Sequence, residues 1–191
     1  MPIVSTLASA SSKGYGEFVG GGFSNAFESI ATQAPSSNTN TIEFTNIPQV
    51  YKHLHLRFYT LTSSFSSGAY FKFNNDTTVG NYNHASLYAN GSGTGVGYYS
   101  GNAIFPNFCG GTSDEPGIGI LDIHDYANSN FYKTWRGWDG CGKSDGSTAT
   151  GYTEMIGGYW ASTSPITSMK FTFAGATFNV GTVIAMYGVR G

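Results

Sequence analysis

Lys52-His53-Leu54-His55-Leu56-Arg57-Phe58-Tyr59 is the stretch that decides the fold class. Leu54, Leu56 and Phe58 fall on one side of an extended chain. His53, His55, Arg57 and Tyr59 fall on the other, which is the period of two of a strand with one buried face. Upstream, Ile42 and Phe44 repeat the pattern in a shorter strand, and Asn46-Ile47-Pro48 supplies a turn. Downstream, residues 69–74 place Phe71 and Phe73 on one side before Asn74-Asn75-Asp76 turns the chain. Further strands are expected over 82–88, 117–126, 131–138, 152–160, 168–173 and 182–189. Between them, 90–101 and 137–151 read as long glycine-rich loops. No stretch supports a helix longer than two turns.

Eight or nine short strands separated by Gly, Asn, Ser and Pro predict an all-β protein. The expected architecture is a jelly-roll-like antiparallel β-sandwich, with a closed barrel as second choice. Residues 41–191 form that domain. Residues 1–40 read either as an irregular N-terminal arm or as the first strand and loop of the same domain. Within them, residues 24–32 could make one helical turn with Phe23, Phe27 and Ile30 on one face.

Composition narrows the function classes. Of 191 residues, 10% are charged, against about 25% in an average globular domain. Aromatics make up 16%, and there are 27 glycines, roughly twice the usual share of glycine. So little charge is unusual for a solitary soluble monomer. The net charge of −2 leaves no basic stripe for phosphates, so nucleic acid is not an expected partner. No apolar run approaches the roughly 18 residues of a membrane span. Residues 1–13 lack the pattern of a secretory signal. Cys109 and Cys141 read as unpaired thiols, with a single bridge the alternative.

Few motifs point to chemistry. Gly142-Lys143-Ser144-Asp145-Gly146 fits the string of a nucleophile elbow but lacks the flanking strand and helix, so it reads as a turn. Gly93, Gly95 and Gly97 precede no helix and form no phosphate cradle. His53 and His55 share a strand face, yet two imidazoles fall short of a structural metal site. Asp122 and Asp125, beside His124, read as strand-end residues. Catalytic residues, metals and cofactors are therefore expected to be none. The aromatics Tyr98, Tyr99, Trp135, Trp138, Tyr159 and Trp160 read as lying in or beside loops, where Tyr and Trp offer rigid contact area. Tyr98, Tyr99, Trp138, Tyr159 and Trp160 are the candidate binding residues.

Several segments resemble a group of small tailed-bacteriophage virion proteins of the tail-fibre or receptor-binding type. They are Met1-Pro2-Ile3-Val4-Ser5-Thr6-Leu7, Ile47-Pro48-Gln49-Val50-Tyr51-Lys52, and Phe73-Asn74-Asn75-Asp76 leading to Leu87-Tyr88-Ala89-Asn90-Gly91. Residues 122–126, Lys133-Thr134 and residues 160–166 continue the likeness, and Met186-Tyr187-Gly188-Val189-Arg190-Gly191 is similar to the group's Leu-Tyr-Gly-Ile-Lys-Gly end. The resemblance implies a non-enzymatic jelly-roll module on a virion, a homotrimer that contacts other virion proteins and a host surface glycan or protein. Phe18, Phe23 and Phe27 would attach it to the particle. A capsid decoration protein is the alternative role, and a glycan-processing enzyme a remote one.

Overall fold

The computed structural model describes residues 26–63, 69–78, 80–101, 103–105, 116–144, 149–173 and 175–191. Among these residues there are twelve strands and no helix. The strands are β1 Phe27–Gln33, β2 Thr41–Phe44, β3 His53–Thr60, β4 Ala69–Phe73, β5 Tyr82–Asn90 and β6 Gly93–Gly101. They continue as β7 Ala103–Phe105, β8 Gly117–His124, β9 Lys133–Ser144, β10 Ala149–Trp160, β11 Met169–Phe173 and β12 Val183–Val189. One sheet has eight strands in the order β1-β12-β3-β8-β9-β10-β5-β6, and the other has four in the order β2-β11-β4-β7. Every pairing is antiparallel. Setting aside β5, β6, β9 and β10, the chain alternates between the sheets except from β4 to β7, which stay in the smaller one, and this is a jelly-roll order. The β9–β10 and β5–β6 hairpins widen one sheet beyond β8.

The core follows from the alternation. Leu54, Leu56 and Phe58 of β3, Leu121 and Ile123 of β8, and Ile184 and Met186 of β12 are buried from one side. Ile42, Phe44, Phe71, Phe73, Met169, Phe171 and Phe173 meet them from the four-stranded sheet. The Phe58–Phe171 and Phe71–Trp135 rings, 5.4 and 5.0 Å apart, cross between the sheets edge to face. Lys133 is also fully buried. Its ammonium donates to the carbonyls of Asn128, Phe131 and Thr163 and so ties together the loops on either side of β9 and β10. The Tyr126 hydroxyl donates to the carbonyl of Pro48. The expected turns at Asn46 and Asn74-Asn75 are present, and these asparagines take the left-handed backbone that Asn tolerates.

Four expectations are corrected here. Residues 27–33 are a strand, not part of a helical turn, because pairing with β12 supplies their hydrogen bonds. Residues 93–101 are strand β6, and most of 137–151 extends β9 and β10, so both glycine loops are ladders. Gly142, Lys143 and Ser144 accordingly end a strand and do not form a turn. Cys141 is held in a disulfide and is not a free thiol. Cys109, Phe18 and Phe23 lie outside the described residues.

Candidate functional site: the outer face of the wide sheet

Strand parity sends every second residue of the eight-stranded sheet away from the core. In register, Arg57 lies opposite Ile120, Ile120 opposite Trp138, Trp138 opposite Met155, Met155 opposite Leu87, and Leu87 opposite Val96. Five apolar side chains thus form one row across five strands. Their exposures run from 39% at Ile120 to 80% at Val96. Ile118 and Tyr98 flank the row at 62% and 73%. Together these seven side chains make one contiguous, largely exposed apolar surface, the kind of patch that marks an interaction site on a soluble protein.

Trp138 stands at the centre of the face. Its indole N–H donates to the Thr153 hydroxyl at 2.7 Å, which in turn donates to the Asp139 carbonyl, fixing the ring. A groove opens on each side of it. One, of about 470 Å³, is lined by Arg57, Ile118, Ile120, Gly140 and Thr153. The other, of about 620 Å³, is lined by Leu87, Asp122, Arg136, Met155 and Gly157. Outward-facing glycines floor both grooves. A Cβ at Gly157 would meet only the Trp135 carbonyl at 3.7 Å, so packing does not demand glycine there.

A charged and imidazole-rich cluster lies beside the row. Asp122 accepts from His55 at 2.6 Å and from Arg136 at 3.3 Å. Burial pushes its carboxyl up, but these two partners outweigh it and hold the group below the usual range. Next to them, His53 packs its ring 4.9 Å from His124 and accepts from the backbone N–H of Asp125. Burial, with the nearby His124, lowers the His53 pKa. His53 therefore meets His124, not His55, and among the described residues no three potential ligands gather for a metal. Asp125 pairs with Lys52 at 2.6 Å. Asp139 and Glu154 face one another on the inner side of β9 and β10, both buried, out of reach of this surface.

The expected binding aromatics separate by parity. Trp138 and Tyr98 lie on the face just described. Tyr159 is on the same face near its polar end, stacked on Tyr132 at 6.3 Å and 39% exposed. Tyr99 points to the opposite side and stacks on the buried His84 at 4.9 Å. Trp160 is a core residue and no surface aromatic; it stacks on Tyr82 and donates its indole N–H to Asp76 at 2.7 Å. Trp135, also expected near a loop, is buried against Phe71. Phe27 is exposed on the edge strand β1, with its ring 5.4 Å from that of His55. Sequence reading missed Ile118, Ile120, Leu87, Val96 and Met155. Their signal is positional: Leu87, Ile118, Ile120 and Met155 alternate with inward residues in segments already expected as strands, and Val96 joins them once 93–101 is taken as a strand.

No protein-family model matches the chain, and no curated protein or solved structure matches it either.

Proposed function

We propose that the chain is a non-enzymatic virion structural protein of the tail-fibre or receptor-binding type, which works by making surface contacts. The observation that carries the contact role is the exposed apolar row Ile120–Trp138–Met155–Leu87–Val96. A face this apolar, on a chain this poor in charge, belongs against another surface. Ile, Leu, Met and Val offer no hydrogen bonds to a sugar, so the row favours a protein surface over a glycan. The virion setting is supported by the resemblance of the opening, the central segments and the Tyr187-Gly188 end to small tailed-phage proteins. Immunogold labelling of intact particles tests the reading. Label along the tail or its fibres is the expected result. Label spread over the head would replace it with a capsid decoration role, and unlabelled particles would remove the virion setting altogether.

A further inference from the structure

The wide sheet ends at β6, and this edge is built unlike the others. Protein sheets blunt their edges with charge, proline, bulges or short strands, because an open edge templates pairing with another strand. At the far end of the same sheet, β1 carries Glu28 and a register shift between Ser29 and Ala31. The edges of the smaller sheet are only four and three residues long. In contrast, β6 has nine residues, Gly-Thr-Gly-Val-Gly-Tyr-Tyr-Ser-Gly, with no charge and no proline. Its register with β5 runs unbroken from Gly93 to Gly101. Alternate residues must turn their N–H and C=O groups away from β5, and no further strand lies beyond them among the described residues.

The strand is also complementary to itself. Read antiparallel about Gly97, Val96 falls opposite Tyr98 of a second copy, Thr94 opposite Ser100, and Gly93 opposite Gly101. β-branched against aromatic and hydroxyl against hydroxyl are favourable cross-strand neighbours, and no like charges meet. Val96 and Tyr98 lie on the outer face, at 80% and 73% exposure, so the pairing would cover what is now open.

We propose that a second copy of this chain adds its β6 antiparallel to β6 across a twofold axis at Gly97, fusing the two eight-stranded sheets into one. The symmetry is then twofold, in place of the homotrimer that the family resemblance implies. The proposal holds whether or not the chain belongs to a virion. It also extends each apolar row, since Val96 then continues into Tyr98 of the other copy.

Light scattering of the full chain across a wide concentration range, with hydrogen exchange of the segment 94–100, tests this. The wild type should dimerise, and β6 amides should gain protection as concentration rises. Val96→Lys should weaken the dimer about tenfold or more, by removing both central pairs. The double variant V96K/Y98E should restore it, because the new charges face each other only in this register. Met155→Lys, on the same face but two strands from the edge, should leave it unchanged. A monomer at every concentration would overturn the proposal. So would β6 amides protected independently of concentration, which would mean that another segment of the chain, such as residues 1–25, covers the edge. Loss of the dimer in M155K but not in V96K would assign the contact to the sheet face instead.

Discussion

His84 is a titratable ring placed where no proton is welcome. It is buried between Tyr99 and Trp135, and neither ring nitrogen has a hydrogen-bond partner among the described residues. Burial alone pulls its pKa from 6.5 to about 4. As pH falls below 6.5 the unfolded chain takes up this proton and the folded one does not, so stability declines between about pH 6.5 and 4. Urea unfolding at pH 7 and pH 4.5 should show that loss in the wild type, and His84→Leu should lose less. Asp76 also has a lowered pKa and loses stability on acidification, but for a different reason and in a more acidic window. Burial would raise its carboxyl, yet donors from Asn81, Trp160 and Thr78 bring it to about 2. Its contribution therefore persists above its ordinary pKa of 3.8 and is lost only as pH falls toward 2. Asp76→Ala leaves the buried Trp160 indole N–H without its acceptor and should cost about 1–3 kcal/mol of unfolding free energy in denaturant titrations.

Among the elements, the glycine-rich strands separate what sequence displays from what it conceals. The strands β3, β4, β11 and β12 are legible because large apolar residues mark every second position. In β6, β9 and β10 glycines stand at many of those positions, and the alternation becomes silent. The same silence hides the candidate site. Trp135 and Trp138 are three residues apart and so must face opposite ways on one strand, as must Tyr159 and Trp160. Parity sends one member of each pair inward but does not say which, and the buried Lys133, Asp139 and Glu154 on the inner side of β9 and β10 disguise it. Neighbouring glycines of β10 have different reasons to be glycine. A Cβ on the inward Gly158 would lie 2.3 Å from the Asn83 carbonyl and 2.6 Å from the Trp135 ring, whereas outward Gly157 has room. Thermal unfolding should find Gly158→Ala destabilised by about 1–3 kcal/mol or more and Gly157→Ala within about 0.5 kcal/mol of wild type.

At the scale of the whole molecule, the two-sheet sandwich is legible from strand count and turn chemistry. The width of the larger sheet is not, because it depends on which hairpins pair with one another and not on any local pattern. The cysteines are equally opaque, as two of them in 191 residues constrain nothing by spacing. The disulfide at Cys141 gives a direct check. Alkylation of the denatured, unreduced protein should leave the Cys141 peptide unmodified, and prior reduction should expose it. Reduction should also lower stability by about 2–4 kcal/mol, the usual contribution of a bridge closing a long loop.

The pairing of the first described strand with the last has a mechanical consequence. Phe27 lies opposite Val189, and the Arg190 N–H donates to the Ala26 carbonyl at the mouth of the same ladder. A load applied between Ala26 and Arg190 pulls the two strands apart from that mouth, at right angles to their length. Ladder bonds run across antiparallel strands, so they would break in sequence, as a zipper opens, with little force at each step. Neighbouring segments attached at both of these points would tug on the weakest direction of the sheet. Segments attached at one point alone would leave the ladder unloaded.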